Sequence, residues 1–350
     1  MPEIDSPAPL IRAAGKPVSM VDVARLAGVS AQTVSRVSTG YPGVREETRQ
    51  RVLLAMDRLG YRPNAAARAL KQGRFHTLGV ILFSLSPVGN SRTVEAITAH
   101  AARRGYGVTL LPAEARTESA VIGAFGRLEE LAVDGVIVIM EVHLLDSPTL
   151  GLPHGSPVVV VDSNAGDSFH VVDADQAAGA TAAVTHLLDL GHHTVWHVTG
   201  PAESFAARRR ASAWEETLVR AGRAAPAPLA GDWSPESGYL AGLRLAEETS
   251  CTAVFVANDQ MALGVLRAFH EKGIRVPEDV SVVGFDDVPE ASSYLPPLTT
   301  VRQDFAEVGR RCVDNVVAQI EGGVVHPGAD IVPTGLVVRA STTRPRGPAR

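Results

Sequence analysis

Val18-Ser19-Met20-Val21-Asp22-Val23-Ala24-Arg25-Leu26-Ala27-Gly28-Val29-Ser30-Ala31-Gln32-Thr33-Val34-Ser35-Arg36-Val37 decides how the N-terminal part of this chain folds. Ser19 is suited to cap a helix, with Asp22 in the first turn beside the positive end of the helix dipole. Val23, Ala24 and Ala27 recur at helical spacing and make one apolar face. Gly28 stands where that helix must stop, because glycine takes left-handed backbone at little cost. Ser30 then opens a second helix. Its Val34 and Val37 face inward, which leaves Ala31, Gln32, Thr33, Ser35 and Arg36 pointing out. Two short helices on a tight turn can place a helix in a DNA major groove. The outward side chains are short or hydrogen-bonding, as base edges require. The same pattern also fits an ordinary helical hairpin at a domain edge.

The next segments favour DNA. Arg45 to Leu59 reads as a third helix, with Val52, Met56 and Leu59 apolar and Gly60 as its stop. Tyr61-Arg62-Pro63-Asn64-Ala65-Ala66-Ala67-Arg68-Ala69-Leu70 follows. A-G-V-S-x-x-T-V-S-R-V over Ala27 to Val37, then G-Y-x-P-N-x-x-A-x-x-L over Gly60 to Leu70, is a specific combination. It resembles the LacI/GalR family of transcriptional regulators, and the resemblance covers almost the whole chain. It implies DNA contacts from Ser30, Ala31, Gln32, Thr33, Ser35 and Arg36. It also implies a hinge helix that forms on DNA and contacts it through Asn64, Ala67 and Leu70. The alanines there give good helix propensity, but the segment is too short to be stable alone.

Charge is distributed to match. The chain carries a formal net charge of -5. From Lys16 to His76, however, 11 lysines and arginines stand against 4 aspartates and glutamates, a net +7. Residues 1–15 carry -1, so the remainder carries -11. A basic head on an acidic body is the footprint of a phosphate-binding module attached to something else. No apolar run approaches a membrane span, and Met1 to Lys16 is not signal-like, so a cytoplasmic protein with a disordered N-terminal arm and no membrane partner is expected. Cys251 and Cys312 match no metal spacing and read as buried free thiols.

From Thr77 on, apolar strands alternate with helices. Strands are read at Thr77 to Phe83, Val108 to Leu111, Gly135 to Ile139 and Val158 to Val161; helices at Val94 to Arg104 and Glu118 to Leu131. The alternation restarts with helices at Ala177 to Leu190, Phe205 to Ala221, Ser237 to Glu248 and Asp259 to Lys272. The strands among them are Thr194 to Val198, Ala253 to Val256 and Val280 to Val283. This predicts an α/β core of two doubly wound parallel sheets behind a helix-turn-helix head. By resemblance the core is a two-lobed, periplasmic-binding-protein-like unit over residues 77–340, crossed three times. Lobe 1 would take about 77–172 and 305–331, and lobe 2 about 173–301 and 332–340. The disordered arm would be residues 1–16, the head 17–62, hinge and linker 63–76, and a tail 341–350 without a leucine heptad.

Ligands of such sheets bind at the carboxyl ends of the strands, in the crevice. Asn258, Asp286 and Asp162 each follow an apolar strand and so point there. Arg210 lies early on a helix, and Trp233 in a loop after Gly231. The resemblance implies that these five hold a sugar, with Gln303 and Phe305 on the cleft floor. Sugars present hydroxyls that need planar amide, carboxylate and guanidinium partners, and apolar faces that stack on aromatics. The long matching stretches Thr252 to Gly264 and Ser281 to Asp287 imply a β-galactoside or related saccharide. Each residue also has a plainer reading: a carboxylate ending a strand can be an N-cap, a tryptophan can be packing, and Arg208 to Arg210 can be a solvated face.

No P-loop, no G-x-G-x-x-G after a strand and no G-x-S-x-G elbow occurs, which argues against nucleotide-phosphate binding and nucleophilic catalysis. His186, His192, His193 and His197 cluster in sequence without metal-ligand spacing. No cofactor, metal or enzymatic activity is expected. The sequence thus points to a repressor of sugar-utilisation genes, released from a palindromic operator by a sugar effector and acting as a homodimer. A regulator using a purine or phosphorylated metabolite as corepressor or coactivator is the alternative. A sugar-binding transport protein would lack the DNA-reading head.

Overall fold

The computed structural model describes residues 18–62, 73–113, 118–139, 157–163, 168–323 and 325–346. The chain divides into two compact units, Met1–Phe75 and His76–Arg350. Asn64, Ala67 and Leu70, and with them the hinge helix, lie outside the described residues, as does the N-terminal arm.

The first unit holds α1 (Met20–Ala27), α2 (Ala31–Ser38) and α3 (Glu46–Leu59). Ser19 and Asp22 cap α1 reciprocally: Ser19 N donates to Asp22 Oδ2 at 3.0 Å, and Asp22 N to Ser19 Oγ at 3.4 Å. Gly28 ends α1 at φ 64°. Ser30 Oγ accepts from Thr33 N at 3.2 Å and opens α2. Arg45, read from sequence as the first residue of α3, instead sits just before it as its N-cap. The three helices close on a core of Val23, Ala24, Ala27, Val34, Val37, Val52, Ala55 and Met56. Fully burying a valine stabilises by about 1.5–3 kcal/mol, and this small core contains four.

The second unit begins with β1 (Thr77–Leu82), α4 (Val88–Arg103), β2 (Gly107–Pro112), α5 (Glu118–Glu130), β3 (Gly135–Ile139), β4 (Val158–Val161) and β5 (His170–Ala174). It continues with α6 (Gln176–Asp189), β6 (Trp196–Thr199), α7 (Phe205–Arg220), β7 (Leu229–Ala230), α8 (Pro235–Leu245), β8 (Ala253–Val256), α9 (Asp259–Glu271) and β9 (Ser281–Asp286). A 3-10 turn at Pro289–Ser293, β10 (Thr299–Arg302), α10 (Phe305–Ile320), β11 (Gly328–Val332) and β12 (Gly335–Val337) complete it.

These strands form two six-stranded sheets, ordered β11-β5-β4-β3-β1-β2 and β12-β10-β9-β8-β6-β7. All neighbours are parallel except the β10–β12 edge. Each sheet is covered on both faces. In lobe 1, Leu78, Val80 and Leu82 pack with Ile97 and Val313 on one side, while Ile81 packs with Phe125 and Leu128 on the other. In lobe 2, Val254 and Val282 pack with Met261 and Phe269, and Phe255 and Val283 with Trp214 and Leu218. The chain passes between lobes after β5, after β10 and after β11.

Several elements differ from the sequence reading. α4 starts at Val88, six residues before Val94, and so takes in Gly89, Asn90 and Ser91. Those residues are poor helix formers; burial of Asn90 and Thr93 holds the extra turns. β5, β10 and β11 are strands that the sequence does not announce: β5 and β10 are short and carry polar residues at buried positions (Asp173, Thr299 and Thr300), and β11 is a short edge strand of which only Val332 is buried. Asp173 and Ala174 belong to β5 and hence to the lobe 1 sheet, two residues past the expected boundary. Ser341 to Arg346 is docked on lobe 2 instead of trailing. Ser341 Oγ accepts from Thr299 N at 2.8 Å, and Thr343 O accepts from the His192 ring at 2.9 Å.

Candidate functional site: the inter-lobe cleft and the exposed face of α2

A cleft opens where the carboxyl ends of the two sheets face each other. Asp162, Arg210, Trp233, Asn258, Asp286, Gln303 and Phe305 all line it. Lobe 1 contributes the start of α4 and the ends of β3 to β5; lobe 2 contributes Ser204, Arg210, Trp233, Asn258 and Asp286; Gln176, Gln303 and Phe305 lie at the crossings. Asp162, Trp233 and Asp286 take positive φ, at 56°, 74° and 113°. Left-handed backbone is costly for such residues and persists where the surroundings enforce it, as at binding sites.

Arg210 is the hub. Although it ends a run of three arginines, it is only 4% exposed. Its Nε donates to Gln176 Oε1 at 2.8 Å, and its Nη1 to Ala257 O. Nη1 stands 3.7 Å from Asp286 Oδ1. The guanidinium lies 3.8 Å over the Phe285 ring and 5.4 Å from that of Trp233. Burial lowers its pKa, opposed chiefly by Asp286 and then Asp162. Arg209, by contrast, is exposed and lies over Phe205 at 4.7 Å.

Asp286 accepts from Gln303 Nε2 at 2.6 Å. Burial raises its pKa to about 6, with Arg210 and Gln303 pulling the other way. It does not act as an N-cap. Asn258 does: its Oδ1 accepts from Met261 N at 2.9 Å, while its Nδ2 donates to Trp233 O and Gln260 Oε1, both at 3.1 Å. The Asn258 amide therefore fixes the Trp233 loop as well as facing the cleft. The Trp233 indole lies on Gly200, where a Cβ would come within 2.4 Å of the ring.

Ser204, Asp173 and Gln176 line the cleft and escaped the sequence reading, and the last two carry its polar network. Asp173, at the end of β5, is 5% exposed and accepts from Ala174 N at 2.7 Å and Gln176 Nε2 at 3.3 Å. Burial raises its pKa to about 6. Gln176 also donates to Gln303 Oε1 at 3.2 Å, so a chain of amides joins Asp173 of lobe 1 to Arg210 and Asp286 of lobe 2. Their signal would have been a polar residue directly after a strand, but β5 was not recognised as one.

The histidines are used elsewhere. His197 is fully buried, stacked on Phe255 at 4.8 Å, and burial lowers its pKa to about 4. His186 meets Thr342, and His192 meets Thr252 and Ser281. Cys251 and Cys312 are buried free thiols.

On the first unit, Gln32 and Arg36 of α2 are exposed, one turn apart. The Arg36 guanidinium lies 5.4 Å over the Tyr41 ring. Thr33 and Ser35 are half-buried, and the Ser30 and Thr33 hydroxyls bond each other at 3.0 Å. Ala31 is half-buried against the three-helix core instead of pointing freely outward.

Residues 19–64 match the family described as bacterial regulatory proteins, lacI family, and residues 184–342 match a periplasmic binding protein-like domain. The chain is 36% identical to the lactose operon repressor of Escherichia coli (strain K12) over 332 residues, covering 94% of this chain and 92% of that protein. The chain belongs to the LacI family. It is a DNA-binding transcriptional repressor of that family. The chain is also 33% identical to the HTH-type transcriptional repressor PurR of Haemophilus influenzae (strain PittEE), over 91% of this chain and 97% of that protein. Among solved structures, the lac repressor dimer bound to operator and the anti-inducer ONPF superposes with a TM-score of 0.85 at 35% identity. That match covers 94% of this chain and all of the other. A complex of the regulator CelR with cellobiose matches at 0.69 and 30% identity, over 93% and 99% of the two chains.

Proposed function

We propose that this repressor controls sugar-utilisation genes and leaves its operator when a saccharide, of the β-galactoside type or a close relative, enters the inter-lobe cleft. The observation that carries the reading is the convergence of Trp233 with Arg210, Asn258, Asp162 and Asp286 on one cavity. An indole offers a stacking surface for an apolar sugar face, while guanidinium, amide and carboxylate groups match vicinal hydroxyls. The lactose operon repressor and the cellobiose-bound CelR are sugar-linked relatives. The charge of the lining argues against a phosphorylated ligand, since three carboxylates face a single guanidinium. A dianion would meet net repulsion in a low-dielectric site.

On the DNA side, Gln32 and Arg36 would read adenine and guanine edges, with Ser30, Thr33 and Ser35 on sugar or phosphate and Ala31 offering a methyl contact. One such head reads a half-site, so a homodimer on a palindrome is the working assembly. The hinge contacts from Asn64, Ala67 and Leu70 belong to the same proposal. The protein would act in the cytoplasm.

A thermal-shift panel tests the effector class, because binding to the folded state raises its apparent stability. Methyl β-galactoside, lactose, cellobiose, hypoxanthine and guanine are the probes. A rise in midpoint with saccharides is expected. A rise with purines only would overturn the saccharide reading and assign a purine corepressor, in keeping with the PurR relatives.

A further inference from the structure

α2 ends in a turn that brings Tyr41 back onto Arg36. Gly40 takes left-handed backbone at φ 71°. Gly40 N donates to Val37 O at 3.1 Å, and Tyr41 N to Arg36 O at 2.9 Å. These two bonds make a Schellman ending, in which the side chain two residues past the cap commonly meets the one three residues before it. The cap is Thr39, so the pair is Tyr41 and Arg36.

Tyr41 stands outside the three-helix core and is 51% exposed. Its place is nonetheless fixed from two further sides. Arg49 Nη2, on α3, donates to Tyr41 O at 2.8 Å. Gly43 has no side chain to displace the ring, and a Cβ there would come within 2.4 Å of it. Arg36 takes part in no ion pair among the described residues, and its guanidinium lies 5.4 Å from the centroid of the Tyr41 ring. A carboxylate partner would hold the arginine too, but it would occupy the N–H groups that a base needs.

We propose that Tyr41 is a positioning residue for DNA reading, its ring holding the Arg36 guanidinium ready for a guanine edge. The inference rests on the reading of Arg36 as a base contact. A guanidinium is planar, so stacking one face on a ring leaves its N–H fork free for two bonds to guanine O6 and N7. A free arginine side chain gives up rotamer freedom when it binds; one already laid on a ring gives up less. A cation–π contact at an exposed site is worth a factor of about two to five in population. Two heads on a palindrome multiply this to about 4- to 25-fold.

The test uses the full-length protein and the duplex it selects from a random pool. Beside it stand duplexes changed at the base pair whose preference Arg36→Ala relaxes. Tyr41→Leu keeps an apolar side chain in the turn and removes the ring, with Tyr41→Met in its place should that variant not fold. Tyr41→Phe keeps the ring and removes the hydroxyl. Tyr41→Leu should weaken binding to the selected duplex about 4- to 25-fold and leave the changed duplexes within about twofold of wild type. Tyr41→Phe should bind as wild type does. Equal weakening on every duplex would assign Tyr41 to the folding of the head or to a phosphate contact, and overturns the inference. A loss in Tyr41→Phe as large as in Tyr41→Leu would place the effect in the hydroxyl, with the same consequence. An undiminished base preference in Tyr41→Leu overturns it as well, while the reading of Arg36 stands. An unchanged selected motif in Arg36→Ala removes that reading and the inference with it.

Discussion

Arg210 and Asp173 show how burial changes what a residue does. In the sequence Arg210 is one of three consecutive arginines; in the fold it is the one that enters the cleft, held by Gln176, Ala257 and Asp286. Asp173 has its pKa raised by burial from 3.8 to about 6. The folded protein therefore holds a proton there that the unfolded chain releases. Its contribution to stability is fully present below about pH 3.8 and is lost as pH rises through about 6. Asp173→Asn should remove this penalty. The stability difference between variant and wild type should be near zero at pH 4 and reach about 1–3 kcal/mol in the variant's favour at pH 7. Urea unfolding at the two pH values measures it; a difference that does not change with pH would refute the burial argument. On the first unit, Arg36 should discriminate a base pair by about 1–3 kcal/mol. Arg36→Ala should then relax base preference at one position of each half-site in a binding-site selection, and an unchanged motif would contradict its role.

At the scale of elements, α8 and α9 are pressed together where both lack side chains. A Cβ on Gly264 would come within 1.9 Å of Pro235 O, and one on Gly238 within 2.1 Å of Met261 O. Trp233 lies just before α8, and Asn258 caps α9, so this contact also sets the cleft wall. Gly264→Ala must push the helices apart. Overpacking of this kind costs about 1–3 kcal/mol even against flexible side chains, and the obstacle here is backbone. A fall of about 3 kcal/mol or more in unfolding free energy is expected, with saccharide affinity lowered in parallel. A variant with wild-type stability would show that the helices can slide. The capping box and the glycine stop of α1 were legible in sequence because they depend on neighbours three and four residues away. The early start of α4 at Val88 was not, because Gly89 and Asn90 are held helical by burial against the rest of lobe 1.

At the scale of the whole molecule, the effector and the operator are linked. A ligand shifts the repressor only by its differential affinity for the DNA-bound and free states. If the effector is the inducing saccharide proposed above, the operator must weaken its binding by the same factor that it weakens operator binding. Titration of the effector into free protein and into the operator complex measures both sides. Equal affinities would exclude induction, and tighter binding to the complex would indicate a corepressor. Arg210→Ala should keep operator affinity within about threefold and lose the response, since the DNA-reading face lies on the other unit. Loss of operator binding in a variant that still folds would contradict this division of labour.

The sequence by itself determined the three-helix head, the alternation of strands and helices, and seven residues that line one cavity. The head and the alternation rest on local periodicity and caps, and Asp162, Asn258 and Asp286 on a polar residue directly after an apolar run; Arg210, Trp233, Gln303 and Phe305 were named through the family resemblance. Only the tertiary structure decided that Asp173 and Gln176 belong to the cleft, that Asn258 divides its amide between a helix cap and the Trp233 loop, and that residues 341–346 are bound to lobe 2. The physical reason is range. Asp173 meets Gln176 nearby in the chain, but it becomes a cleft residue because β5 pairs with β4 and β11, the latter more than 150 residues later. Pairings across that separation leave no periodic trace in the sequence, and the burial that sets the charge of these groups follows from them.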